Sequence, residues 1–305
     1  MSTSHAITRR PFWNLFAIGC RPKTLTIAAS PILAAGGLAF YDLGFINPII
    51  LGLTLITALA IQAGTNLYND AADGISGNDT PARLGPMRLT AMGYATAGEV
   101  KRMAILCFAL AACIGLYLIY FGGWPVLLVG LLSLASGYAY SNGPYPISHS
   151  PLGEVFVIGF FGIIAVTGTY YLQTGTITTH AISLGLAIGF FGAAVLMVNN
   201  HRDRIEDEKS GRRTLAIVSG DSNSKRLLSL FLVLPFILQV ASELNATGKT
   251  NMLPIIVFPF AAFLIYKIWK SKTGNDLNML LIQTAKLQFA FSVLYAVGAI
   301  GVKLG

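Results

Sequence analysis

The chain has 305 residues, of which 54% are hydrophobic and only 11% charged, with a formal net charge of +8. Ordinary soluble domains carry about 25% charged residues, so a water-soluble fold of this length is excluded and a polytopic membrane protein is expected. Three cysteines (Cys20, Cys107, Cys113) and four histidines show no CxxC or zinc-ligand spacing, which argues against a His/Cys metal site.

In chain order, a basic segment with Arg9, Arg10, Arg21 and Lys23 precedes the first apolar run. That run is too long for a signal-peptide core and lacks a convincing cleavage site, so it reads as a retained span. A spanning helix needs about twenty mostly apolar residues. The segments that qualify are 24–41, 48–69, 103–121, 124–141, 153–173, 180–200, 226–242, 252–270 and 284–303. The expected fold is therefore all-α, with nine transmembrane helices in a single domain spanning 1–305. With the N-terminus inside and the C-terminus outside, nearly all Lys and Arg lie on the inner side, Lys249 and Lys303 excepted. This N-in/C-out arrangement satisfies the positive-inside rule.

Two inner loops are long, about 66–102 and 199–225 counted with the helix ends that lead into them, and each carries an acidic cluster. The first reads Asn66-Leu67-Tyr68-Asn69-Asp70-Ala71-Ala72-Asp73 and continues to Asp79. The second reads Asn199-Asn200-His201-Arg202-Asp203-Arg204-Ile205-Glu206-Asp207. They end the second and sixth spans, four helices apart, which suggests a weak internal duplication. Asn69 and Asp73 are four apart and share a helix face if the helix runs that far, as do Asp203 and Asp207, with Asn200 one turn earlier. Carboxylate and amide oxygens suit hard cations such as Mg²⁺, which takes one or two carboxylates and completes its shell with water and substrate phosphate. Basic residues follow each cluster: Arg83 and Arg88 after the first, Lys209, Arg212 and Arg213 after the second. Guanidinium forks and ammonium groups bind phosphate oxygens. The pattern points to a divalent-metal and diphosphate site. Asn, Asp and Gly at a helix end are also ordinary turn chemistry, and it is the pairing of two clusters that favours the chemical reading.

At these residues the chain resembles the UbiA superfamily of membrane prenyltransferases, and within it the branch that prenylates 1,4-dihydroxy-2-naphthoate. Asn69-Asp70-Ala71-Ala72-Asp73 with Gly77-Asn78-Asp79 is similar to that superfamily's first Asp-rich motif. Asn199 through Asp207, then Gly211-Arg212-Arg213-Thr214-Leu215-Ala216, is similar to the second. Arg21-Pro22-Lys23-Thr24-Leu25, Leu84-Gly85-Pro86-Met87-Arg88, Gly153-Glu154 and Thr167-Gly168-Thr169-Tyr170-Tyr171 resemble the naphthoate branch. One departure stands out: the superfamily's first motif carries an Asp where this chain has Gly77, and the carboxylate comes at Asp79 instead.

The resemblance implies a helical bundle around a cavity open to lipid, in a bacterial cytoplasmic membrane, with both motifs near the cytoplasmic side. It implies Mg²⁺ as cofactor, a polyprenyl diphosphate as donor and an aromatic acceptor, 1,4-dihydroxy-2-naphthoate, that loses carbon dioxide. No nucleic-acid partner is expected. Asn69, Asp70, Asp73, Asp79, Asn200, Asp203 and Asp207 are the expected metal ligands. Asp73, Asp203 and Lys23 are the expected catalytic residues, with Arg83, Arg88, Lys209, Arg212, Arg213, Asn66 and Tyr140 on substrate. Lys23 serves equally as an interfacial anchor, and Tyr140, like Asn142 beside it, as part of an interfacial belt and turn. Other acceptors, such as 4-hydroxybenzoate or homogentisate, stay open. So does a cation-coupled transporter, which would carry acids inside its spans.

Overall fold

The computed structural model describes residues 11–76, 87–140, 146–245, 250–271 and 274–305. Among these, all regular structure is helical: α1 (Phe12–Cys20), α2 (Pro22–Leu43), α3 (Pro48–Ser76), α4 (Ala97–Ala139), α5 (Gly153–Val157), a π-helical stretch Ile158–Ile164, α6 (Ala165–Thr174), α7 (Thr179–Lys209), α8 (Leu215–Leu244), α9 (Phe258–Lys270) and α10 (Gly274–Leu304). Eight helical stretches among the described residues are long and apolar enough to cross a membrane. The chain is thus an all-helical, multi-pass membrane protein.

The expected span 103–121 and the span 124–141 as far as Ala139 fall in the single element α4. Its 43 residues would extend about 65 Å at 1.5 Å per residue, roughly twice a bilayer's hydrocarbon thickness. The helix is broken at Gly123, whose φ of 67° and ψ of −156° suit a residue without a Cβ. Thr96 and Glu99 start α4 with a capping box: the Glu99 carboxylate accepts from Thr96 N at 2.8 Å, and Thr96 Oγ1 accepts from Glu99 N at 3.2 Å. Elsewhere the helices outrun their apolar segments. α3 continues to Ser76 and α7 to Lys209, so both acidic clusters, up to Asp73 and Asp207, are helical rather than loop. Apolar counting finds where lipid contact ends, whereas a helix ends where its hydrogen bonds do.

Two apolar cores organise the bundle. The larger joins α2, α6, α7, α8, α9 and α10 through residues such as Leu38, Ile188, Phe191, Leu232, Leu264 and Phe291. The smaller joins α1, α3, the start of α4 and segment 87–95 through Leu67, Leu89, Val100 and Met103. At the end of the bundle away from the acidic clusters, polar contacts join α7 to α8 and α10, and α6 to α2. His180 Nε2 lies 3.1 Å from Tyr295 Oη and 3.5 Å from Glu243 Oε1, and Tyr170 donates to Asp42.

Lipid supplies no hydrophobic drive between spans, so close approach relies on small residues. Gly162 in the π-helical stretch meets Gly185 and Gly189 of α7, and a Cβ at Gly162 would lie 2.6 Å from Gly189 Cα. A Cβ at Gly159, one turn away, would meet nothing within 4 Å. Gly162→Ala is therefore expected to destabilise the detergent-solubilised protein by about 1–3 kcal/mol through overpacking. Gly159→Ala should leave the thermal midpoint unchanged or raised, and comparing the two midpoints checks the packing.

Candidate active site

A cavity of about 690 Å³ is lined by α2, α3, α4, the segment from Phe156 through α6, and α7. Most of its wall is apolar or aromatic, including Ile27, Ile61, Phe156, Phe160 and Leu172. One end is polar, and there Asn69 and Asp73 of α3 meet Asn199, Asn200 and Asp207 of α7, with Arg21, Arg88, Arg212 and Tyr140. The two acidic clusters, more than a hundred residues apart in sequence, share this cavity.

Arginine joins them. Arg212 Nη2 lies 3.3 Å from Asp73 Oδ1, and its Nη1 lies 3.1 Å from Asp207 Oδ1. The second oxygen of Asp73 pairs with Arg88 Nη2 at 2.6 Å. Arg212 reaches this position because the chain turns tightly after α7: Gly211 has a φ of 81°, and Arg212 N donates to Asp207 O. Arg213 N donates to His149 O, which ties the turn to residues 147–149. Burial and the Arg212 charge push the His149 imidazole below its ordinary value, so it is neutral near pH 7. Burial and the Glu154 charge push the Tyr140 hydroxyl up, which keeps it a protonated phenol.

Several expected site residues lie elsewhere. Asp70 was expected to bind metal, but it is fully buried, and its carboxylate accepts from Leu89 N at 2.7 Å, Thr90 N at 3.1 Å and Thr90 Oγ1 at 2.6 Å. It anchors segment 87–90 and so aims Arg88 at Asp73. Asn66 is at the cavity wall, but its amide donates to Cys20 O at 3.0 Å and Thr24 Oγ1 at 3.2 Å and accepts from Gln62. It clamps the α1–α2 turn instead of presenting donors to substrate. Lys23, Lys209 and Arg213 are exposed, and the cavity wall does not include them. Their sequence neighbours Arg21 and Arg212 face inward instead. Asp203 is buried beside the cavity, with both oxygens held by the Arg202 fork at 2.7 and 2.6 Å. Arg202 also donates to Asn199 Oδ1 and to Asn278 Oδ1 of α10. Asp79, Arg83 and Asn142 lie outside the described residues.

Residues the sequence reading left without a role are Arg21, Asn199, Arg202 and Glu154. Arg21 is, among the described residues, the non-glycine with positive φ, at 51°. It sits between α1 and α2, where Thr24 N and Thr24 Oγ1 both donate to its carbonyl. Its neighbours in the Arg-Pro-Lys-Thr-Leu string signalled the region, but string order cannot say which cation turns inward.

The donors at the polar end are all oxygens from carboxylates and amides, which fits Mg²⁺. Among the described residues no three His, Cys, Asp or Glu side chains group closely enough to hold a metal alone. That is compatible with an ion completed by amide oxygens, water and phosphate.

Comparison with known proteins bears on what this cavity serves. The model of the UbiA prenyltransferase family matches residues 28–289. The chain belongs to the UbiA prenyltransferase family. Curated relatives of this prenyltransferase include the 1,4-dihydroxy-2-naphthoate octaprenyltransferases of Haemophilus influenzae, 30% identical over 91% of this chain and 93% of the relative, and of Escherichia coli, 35% identical over 73% of each. A similar fold occurs in a UbiA homolog from Archaeoglobus fulgidus bound to GPP and Mg²⁺. Its TM-score is 0.68 at 18% identity, covering 94% of this chain and 100% of that one. The chain is a membrane-bound prenyltransferase, and the transporter alternative falls with that membership.

Removing one partner of a buried ion pair leaves the other uncompensated. The Arg202 and Asp203 side chains are only 1% and 7% exposed, so Asp203→Ala is expected to cost about 3–5 kcal/mol of stability. Asp73→Ala, at a more open position, should cost less. Thermal midpoints of the two variants in one detergent check that order.

Proposed function

We propose that this prenyltransferase transfers a polyprenyl group from a polyprenyl diphosphate to 1,4-dihydroxy-2-naphthoate, with Mg²⁺ as cofactor and loss of carbon dioxide, giving a demethylmenaquinol. The observation that carries the reading is a single cavity with oxygen donors and two guanidinium forks at one end and an apolar, aromatic wall along the rest. The names of the naphthoate relatives at 30% and 35% identity support the acceptor.

Asn69, Asp73, Asn200 and Asp207 would hold the ion, with Asp203, now held by Arg202, as a further carboxylate that would join them. When bound, Mg²⁺ supplies Lewis-acid stabilisation of the leaving diphosphate. Arg88 and Arg212 exchange their carboxylate partners for phosphate oxygens, matching the charge that grows as the allylic C–O bond breaks. Arg21 contributes a third positive charge at the same end, for the diphosphate or for the acceptor's carboxylate. The C–O bonding pair leaves with diphosphate. The electron-rich ring carbon bearing the carboxylate forms the new C–C bond, and the bond to carbon dioxide then breaks and returns its pair to the ring. Phe156, Phe160 and the aliphatic wall exclude water that would otherwise capture the allylic cation.

The same reading sets the protein in the bacterial cytoplasmic membrane. Counting α4 as two crossings that meet at Gly123 gives nine spans, N-in and C-out. The C-terminal ends of α3 and α7 are then cytoplasmic, in keeping with the inner-side Lys and Arg excess.

The test is product mass after incubating detergent-purified protein with Mg²⁺, a polyprenyl diphosphate and either 1,4-dihydroxy-2-naphthoate or 4-hydroxybenzoate. A prenylated, decarboxylated naphthol that disappears with EDTA is expected, and conversion of 4-hydroxybenzoate alone would overturn the acceptor. Asp73→Ala, shown to be folded, should lose at least about a hundredfold in turnover, the scale of a lost electrostatic contact to developing charge. Near-normal activity in that variant would remove the metal assignment.

A further inference from the structure

We infer that Glu154 is a positioning residue, which locks the Asn200 amide so that its oxygen faces the cavity. The inference rests on the metal-site reading above. Glu154 lies in α5, which packs along α7: a Cβ at the preceding Gly153 would sit 3.3 Å from Leu196 Cδ2. The side chain is buried, at 1% exposure, and the cavity wall does not include it. Glu154 Oε1 accepts from Asn200 Nδ2 at 2.9 Å. Its other oxygen, Oε2, is buried without a hydrogen-bond partner among the described residues.

The chemistry of the two groups sets the orientation. A carboxyl group has an accepting oxygen in either protonation state, and an ionised one only accepts. Asn200 turns its NH₂ toward Glu154, the one orientation an ionised carboxylate accepts, which leaves its amide oxygen for the cavity that Asn200 lines. Without that partner the amide can rotate by half a turn and present two N–H donors to a cation, which repels them. Outer partners that orient metal ligands commonly tune affinity by 10–100-fold. A half-satisfied buried carboxylate is a poor choice for stability alone, and orientation of Asn200 gives it a purpose. In the sequence Gly153-Glu154 is a string that resembles the naphthoate branch, but nothing there connects it with Asn200, 46 residues on.

The test compares wild type with Glu154→Ala, Glu154→Gln, Asn200→Ala and the double Glu154→Ala/Asn200→Ala variant. Two readouts are used: Mn²⁺ binding, from the free-ion electron paramagnetic resonance signal without substrate, and the Mg²⁺ concentration for half-maximal product formation. Glu154→Ala is expected to weaken Mn²⁺ binding and raise the Mg²⁺ midpoint about tenfold, with KM for the acceptor unchanged. Glu154→Gln, whose amide oxygen can still accept from Asn200, should stay near wild type. In the double variant the loss should equal that of Asn200→Ala, because Glu154 acts through Asn200. Should Glu154→Ala fail to fold, Glu154→Leu fills the space without an acceptor and carries the same expectation. An unshifted metal midpoint, a Gln variant as impaired as the Ala one, or additive losses in the double variant would each overturn the inference. A wild type indifferent to both ions would overturn the metal-site reading and this inference with it.

Discussion

The contact on which the site depends is the Arg212 guanidinium set between Asp73 of α3 and Asp207 of α7. Carboxylates brought together from two helices at the end of an apolar bundle repel each other, and in that medium the repulsion is poorly screened. One planar fork faces both, and Arg88 takes the remaining oxygen of Asp73. The polar end is thereby kept near charge balance while the two helices are tied across the cavity. Arginine suits this place because the fork geometry that matches a carboxylate also matches a phosphate. The contacts that hold the site together are thus ones a diphosphate can take over.

Around that contact, polar residues that look alike in sequence divide into two kinds of work. On α3, Asn69 and Asp73 face the cavity, while Asp70 turns to segment 87–90 and Asn66 to the α1–α2 turn. Asp70 satisfies the buried backbone N–H of Leu89 and the half-buried one of Thr90. Its anchor fixes where the chain leads into Arg88. On α7 the same division recurs: Asn199, Asn200 and Asp207 line the cavity, whereas Asp203 pairs with Arg202, which reaches α10 through Asn278.

The apolar remainder of the cavity depends on how closely α7 can approach its neighbours. Gly162, Gly185 and Gly189 let backbone meet backbone there. The π-helical stretch Ile158–Ile164 sits at that contact, and such stretches are frequent near functional sites. From the same segment, Phe160, Phe161 and Ile164 reach the cavity wall while Gly162 faces α7. Wall and packing surface are opposite faces of one short piece of helix.

By itself the sequence determined the membrane class, the helical content, both acidic clusters and the family they resemble. Those properties follow from composition and from spacing along one helix, and both are local. Only the tertiary structure decided which charges share the cavity. Arg21 and Lys23, or Arg212 and Arg213, are near-neighbours with equal charge, and which one turns inward is set by the backbone at Arg21 and at Gly211. Hydropathy also stopped α3 and α7 at their first charged residues, because it follows contact with lipid, whereas backbone hydrogen bonding carries both helices through the clusters. A one-dimensional pattern shows the carboxylates of Asp70 and Asp203 without the groups they contact. Their partners, Leu89 and Thr90 for one and the Arg202 fork for the other, take those positions only once the chain has folded.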